Sequence, residues 1–167
     1  MDGASDRLGR RKLPASQGTI VPLRAIAYAS EARPGLSIDH VDDLARVAAG
    51  FNFDMGVTGV LLYDGCRFLQ YIEGPEDGMD VVHSRILGAT SHHEIVVLGS
   101  GRVSTRQLPY WPMRLISADP GEVRTVANGD WYTLAKGGGM AALAQVIVPH
   151  LSTSPSAAQS REPSWYR

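Results

Sequence analysis

Two periodicities alternate along the middle of the chain. At residues 23–29 (LRAIAYA), Arg24, Ile26 and Tyr28 alternate with Leu23, Ala25, Ala27 and Ala29, the period-two pattern of a strand. The alanine row would let another layer approach that side closely. At residues 38–51, Ile38, Val41, Leu44, Ala45, Ala48 and Phe51 recur at helical spacing and predict an amphipathic helix. Ser37 suits its N-cap, and Asp39 lies in the first turn, where the helix dipole favours a carboxylate. Residues 57–63 (VTGVLLY) are rich in strand formers. Asp64-Gly65 is a hairpin signal, because glycine accepts the positive φ such turns need, and residues 68–72 (FLQYI) return as a third strand. Pro75 fits the first position of a second helix, with Glu76 and Asp77 in its first turn. Met79, Val82, Ile86 and Leu87 form the buried stripe of that helix, and Gly88 ends it. His92-His93 are expected in a turn, residues 95–98 (IVVL) in a fourth strand, and residues 99–109 in a polar connection. Trp111, Met113 and Leu115 alternate on a fifth strand interrupted by Pro112, which points to an edge or easily disturbed strand.

The first six elements give the split βαβ, ferredoxin-like order. The expected fold class is α+β: a βαββαβ sandwich with an added fifth strand and a C-terminal helical extension. Two helices would cover one sheet face, leaving the other to the C-terminal region or to a partner. Residues 119–137 are mixed, Gly137-Gly138-Gly139 is a break, and residues 140–151 (MAALAQVIVPHL) read as a short apolar helix frayed by Pro149. The chain thus divides into a disordered leader (1–20), a domain over 22–117, the helical extension (118–151) and a disordered tail (152–167). In that tail Trp165-Tyr166 could still dock.

Composition narrows the function classes. The 167 residues are 44% hydrophobic and 20% charged with a net charge of −1, an ordinary soluble profile that advertises no nucleic-acid or anionic-membrane partner. No apolar run approaches the ~20 residues that span a bilayer, and the basic N-terminus lacks the apolar segment of a secretory signal. Cys66 alone cannot form an intrachain disulfide, which fits a reducing cytoplasm. The adjacent histidines have no metal-ligand spacing, and Gly99-Ser100-Gly101 is too weak for a phosphate loop. No nucleophile–base pair supports a small ferredoxin-like enzyme such as an acylphosphatase, and no catalytic function is expected.

The candidate chemistry lies on the third strand. Phe68, Gln70 and Ile72 share one face, so an amide sits between two large apolar groups. Burial of that face would require partners for up to four hydrogen-bonding positions. Taken together, Tyr28 in LRAIAYAS, Asn52 and Gly56-Val-Thr-Gly59 in FNFDMGVTGVLLY, Gln70 in FLQYIEGP, and Trp111 and Met113 in LPYWPM resemble the BLUF family, blue-light sensors using FAD. The resemblance covers about residues 22–117.

It implies a non-covalently held flavin between the two helices. Asn52 would hydrogen-bond the polar edge of the ring, with Leu61 and Leu44 on its two sides. Gln70 would bridge Tyr28 and the flavin, with Ser30 beside the tyrosine and His92 near the ring or its side chain. Light-driven electron and proton transfer along Tyr28–Gln70–flavin would rearrange the hydrogen bonds through the amide, which can donate on one side and accept on the other. Trp111 and Met113, placed on one face, would compete for the position beside Gln70 and pass the signal to the C-terminal segment and a downstream protein. No cyclase, phosphodiesterase or DNA-binding domain accompanies the motif, so output through a partner or through a homo-oligomer is expected. The chain departs from the family in three places: Ser91 stands where an arginine often precedes the histidine, Ala48 where some members have serine, and Phe51 where an asparagine often precedes Asn52. Loss of the arginine would weaken FAD binding through its phosphates, or favour FMN or riboflavin. The alternative reading is a flavin-free or light-indifferent interaction scaffold of the same fold.

Overall fold

A computed structural model describes residues 21–152 and 163–166. The expected leader and most of the expected tail lie outside the described residues. Five strands, β1 (Leu23–Ala32), β2 (Thr58–Tyr63), β3 (Arg67–Pro75), β4 (His92–Val103) and β5 (Arg114–Ser117), form one sheet in the order β4-β1-β3-β2-β5. All neighbours are antiparallel except β2 and β5, which run parallel. The helices are α1 (Ile38–Asp54), α2 (Glu76–Leu87), α3 (Pro120–Ala127) and α4 (Gly138–Ile147). The ferredoxin-like α+β architecture with its fifth strand is therefore as expected.

Local chemistry explains most boundaries. The Ser37 side chain accepts from the His40 N–H and caps α1. Asp64 Oδ1 accepts from the N–H groups of Cys66 and Arg67, and Gly65 sits at φ +98°, which closes the β2–β3 hairpin. Some expectations are corrected. Pro75 is the N-cap of α2 rather than its first residue. Ile38 and Leu87, assigned to buried stripes, are 52% and 54% exposed at the helix ends, beyond the edge of the sheet contact. His92 and His93 open β4 rather than a turn, and β4 absorbs residues as far as Val103 because β1 offers pairing along its whole length. The fifth strand begins only at Arg114. Trp111, Pro112 and Met113 precede it, so they do not alternate on one strand face.

The even positions of β1 and β3 face α1 and α2. The odd positions, Ala25, Ala27, Leu69 and Tyr71, face a second core completed by α3 and α4. The C-terminal region thus supplies the missing cover. α3 falls within the stretch expected to be mixed, and its start carries a reciprocal capping box between Asp119 and Glu122. Trp131 is the keystone of this layer. Its ring stacks on Tyr71 at 6.1 Å, and its Nε1 donates to the Val126 carbonyl at 2.9 Å. Gly139 and Gly99 are glycine for its sake: a Cβ on Gly139 would stand 2.4 Å from the indole, and one on Gly99 2.6 Å from the Trp131 carbonyl. α4 ends in a 3₁₀ turn, Val148–His150, at Pro149.

Candidate functional site

Strand register centres the site on Gln70. Across β1–β3 it is directly opposite Tyr28, and across β2–β3 directly opposite Leu61. All three side chains face the helical layer, where a cleft of about 180 Å³ lies between α1 and α2. Its α1 wall includes Leu44, Ala45 and Ala48, its α2 wall Val82 and Ile86, and its floor Leu61, Phe68, Gln70 and Tyr28. The α1 stripe thus forms the cleft wall with half-buried Leu44 and Ala48 and with buried Val41 and Ala45, while Ala49 is buried behind it.

Two amides meet one short segment of backbone. Asn52, 2% exposed in the last turn of α1, donates from Nδ2 to the Pro112 carbonyl at 2.7 Å. Gln70, 5% exposed, donates from Nε2 to the Met113 sulfur at 3.4 Å. A thioether is a weak acceptor, so this amide is only loosely held in its present sense. Burial pushes the Tyr28 pKa well above that of a free phenol, which keeps the hydroxyl protonated. Behind the cleft, the Ser30 hydroxyl lies 2.7 Å from His92 Nδ1, and His92 Nε2 lies 2.9 Å from the Ile86 carbonyl. A carbonyl can only accept, so Nε2 carries the proton, and in the neutral ring Nδ1 accepts from Ser30. His92 thereby ties the end of α2 to β1 and presents its ring to the cleft.

Of the residues singled out by sequence, Tyr28, Leu44, Asn52, Leu61, Gln70, His92 and Met113 line this one cleft. Ser30 joins it through His92. Trp111 does not. Because residues 111–113 are not strand, Met113 enters the helical-layer core while Trp111 enters the core beneath α3 and α4. The expectation that the two share a face is corrected. The Trp111 carbonyl accepts the Gly59 N–H at 2.7 Å, and the Arg114 guanidinium lies 4.8 Å over its ring.

Two other polar residues escaped sequence reasoning, Arg85 and the buried Glu73. Arg85 lines the cleft with its guanidinium 4.1 Å over the Phe51 ring, as does Ser91, already noted as a departure from the family. Glu73, fully buried, accepts from the Tyr71 hydroxyl and from the N–H groups of Gln107 and Leu108. Burial pushes its pKa up, against the pull of those donors and of Arg106. The one signal for it was an acid directly after an apolar strand.

An isoalloxazine is flat, largely apolar on its faces, and edged by groups that both donate and accept. The cleft offers apolar walls from two helices and, at one end, two buried amides, each with a donor and an acceptor. The residues present fit such a group, with Asn52, Gln70 and Tyr28 at the polar end and Leu44 and Leu61 along the walls.

Comparison with known proteins agrees. The family model for sensors of blue light using FAD, BLUF, matches residues 23–114. The photoactivated adenylate cyclase subunit alpha of Euglena gracilis is 32% identical over 94 residues, 55% of this chain and 9% of that protein. The blue light- and temperature-regulated antirepressor BluF of Escherichia coli K12 is 30% identical over 76 residues, 46% of this chain and 19% of that protein. The chain therefore spans under a fifth of either curated relative. Among solved structures, BlrB, a BLUF protein in its dark state, superposes with a TM-score of 0.62 at 30% identity, covering 78% of this chain and 98% of that one. BlrP1 of Klebsiella pneumoniae with FMN and cyclic diGMP gives 0.53 at 28% identity, covering 57% of this chain and 26% of that one. With its motif residues gathered around one cleft and the family match running from β1 to the start of β5, the chain belongs to the BLUF family of blue-light sensors that use a flavin.

Proposed function

We propose that this chain is a blue-light receptor whose switch is the Gln70 amide, set between Tyr28 and Met113. The observation that carries the reading is the direct opposition of Tyr28 and Gln70 across β1 and β3, both buried and both lining the cleft. FAD, bound in the cleft, supplies absorption of blue light and an excited state that accepts an electron. Tyr28 would be the donor of that electron, and its hydroxyl, kept protonated by burial, would release its proton toward the Gln70 amide directly opposite. Gln70 relays by reversing the donor and acceptor ends of its amide, which changes what it offers both to the ligand and to the Met113 sulfur. Asn52 holds the ligand's polar edge while keeping Pro112 in place. Met113 carries the change into the segment before β5, and from there it reaches the C-terminal layer and a protein partner or a second copy of the chain. Arg85, propped on Phe51, is a cation at the cleft in a sequence that has Ser91 at the usual arginine position, and this supports retention of a phosphate-bearing flavin.

The test is the visible spectrum of purified protein in darkness and after blue light, for wild type, Gln70→Ala and Tyr28→Phe. The expected result is a flavin band that shifts slightly to the red and recovers in wild type, with flavin retained but no shift in either variant. A normal photocycle in either variant overturns the Gln70 switch. Protein that stays colourless after added FAD favours the scaffold reading.

A further inference from the structure

The last described residues form a second site on the segment that the cleft controls. Ser164–Tyr166 make a 3₁₀ turn, and Trp165 and Tyr166 are both half-buried, so this part of the expected disordered tail is seated. We propose that Arg106, Tyr110 and Phe53 form a docking cradle for an adjacent Trp–Tyr pair. Trp165 and Tyr166 of this chain are its occupant, and occupancy is coupled to the cleft. The coupling rests on the flavin reading above; the cradle does not.

The cradle is built rather than incidental. Arg106 donates to the Gly56 carbonyl at 2.7 Å, to Thr58 Oγ1 at 2.9 Å and to the Glu73 carbonyl at 3.3 Å. Thus fixed, its guanidinium lies 4.9 Å from the Trp165 ring centre and 6.0 Å from that of Tyr166, within cation–π range. The Tyr110 ring meets Trp165 at 5.9 Å, Tyr166 at 5.4 Å and Phe53 at 6.5 Å, and Phe53 meets Trp165 at 6.1 Å, all edge-on. These are the distances at which aromatic pairs attract through their quadrupoles. The Tyr166 hydroxyl donates to the Leu108 carbonyl at 3.1 Å, and Leu108 is itself held from within by Glu73. A partner segment suited to the same cradle would present a Trp–Tyr pair to one arginine.

The coupling follows from chain continuity. Leu108 and Tyr110 hold the aromatic pair, and two of the next three residues, Pro112 and Met113, are bonded by side chains of the cleft. The Trp111 carbonyl accepts from Gly59, the Pro112 carbonyl from Asn52, and the Met113 sulfur from Gln70. On the other side, Phe53 directly follows Asn52 in α1. Movement of either amide therefore shifts one wall of the cradle. Coupling between two sites is reciprocal, so the tail must change ligand affinity by the factor by which the ligand changes tail docking.

Two measurements on the full chain test this. Hydrogen exchange at residues 106–113 is compared between wild type and a Trp165→Ala/Tyr166→Ala double variant, with Tyr166→Phe as a milder change that removes only the bond to Leu108. Flavin affinity is measured on the same proteins. Expected are at least tenfold faster exchange at Leu108 and Tyr110 in the double variant, a smaller effect in Tyr166→Phe, and a flavin affinity changed at least threefold. The peptide EPSWYR, added in trans, should reverse both changes in the double variant and leave wild type unaffected. Unchanged exchange overturns the cradle. Faster exchange with unchanged flavin affinity overturns the coupling. Protein that takes up no flavin sinks the receptor reading, and the exchange and peptide results still decide the cradle.

Discussion

The two faces of the sheet are made by the same strands, with alternate residues of β1 and β3 assigned to each. On the face beneath α3 and α4, Ala25, Ala27, Leu69 and Tyr71 meet Trp131, Val123, Val126 and Leu143 in one close-packed apolar cluster. On the face beneath α1 and α2, the neighbouring positions are Tyr28, Ser30, Phe68 and Gln70, and the layer opens into a cleft. Three polar side chains there are hydrogen-bonded: Ser30 with His92, Asn52 with the Pro112 carbonyl and Gln70 with the Met113 sulfur. Stability and responsiveness are thus separated by a period of two. The first face tolerates no rearrangement without loss of packing. The second has its own apolar cluster around Ile26, Ile72, Met79 and Val82, but its cleft is lined by a few exchangeable hydrogen bonds, one of them to a weak acceptor. Changes on the two faces should therefore have opposite signatures.

The largest effect on folding belongs to the first face. Trp131→Ala removes the ring stacked on Tyr71 and the bond to Val126, and is expected to cost about 3–5 kcal/mol. Chemical denaturation measures it. A loss below about 1 kcal/mol would show that α3 and α4 are only loosely applied to the sheet and would break the comparison. Glu73→Gln comes next. The carboxylate accepts on both oxygens from Gln107 and Leu108 as well as from Tyr71, and an amide presents one acceptor and turns an NH₂ toward those donors. The expected cost is about 1–3 kcal/mol, with faster hydrogen exchange at residues 106–108. Unchanged exchange there would mean that Glu73 does not hold the loop.

The different legibility of the two faces has the same origin. Gln70 stood out because an amide between two apolar neighbours on one strand face needs a reason, whereas Tyr28 and Asn52 were singled out by the family motif; the period of two did place Tyr28 and Gln70 on the correct face. Trp111 and Met113 misled because an i, i+2 spacing implies a shared face only where the backbone is extended. Pro112 interrupts the strand, and the two side chains part to opposite layers. β4 was underestimated because its His, Gly and Ser residues carry weak strand propensity, whereas pairing along β1 decides the matter. α3 had a legible start in Asp119-Pro120-Gly121-Glu122, but only two of its side chains are buried, too few for a clear period. The seat of Trp165 and Tyr166 could not be read at all, since it is assembled from α1, the β4–β5 connection and the tail, distant in sequence.

On the cleft side the effects on folding shrink while those on binding grow. Asn52→Ala deletes one hydrogen bond to Pro112 and leaves that carbonyl to the cleft, an expected loss of about 1 kcal/mol in stability. Flavin affinity should fall by roughly tenfold, the equivalent of about 1.4 kcal/mol. Equilibrium titration of the apoprotein checks it. An unchanged affinity would remove Asn52 from the binding set and leave it as a brace for Pro112.

Tyr28→Phe should have the smallest effect on the fold and the cleanest effect on function. The ring stays in the core formed with Ile26 and Ile72, and only a hydroxyl at the cleft is lost, so stability at neutral pH should change by less than about 1 kcal/mol. The difference should appear in alkali. Burial raises the folded pKa of Tyr28 above its unfolded value of about 10. Its contribution is therefore complete below pH ~10 and is lost as pH rises beyond that, because the unfolded chain releases a proton that the folded chain retains. Tyr71, also raised, adds a second such proton on the opposite face. Tyr28→Phe should thus lose stability above pH 10 with a slope smaller by one proton than wild type, which denaturation at pH 9, 10 and 11 measures. An unchanged slope would mean that Tyr28 ionises freely in the fold. It would then be an ordinary solvated phenol rather than the buried, protonated group proposed above as the electron donor.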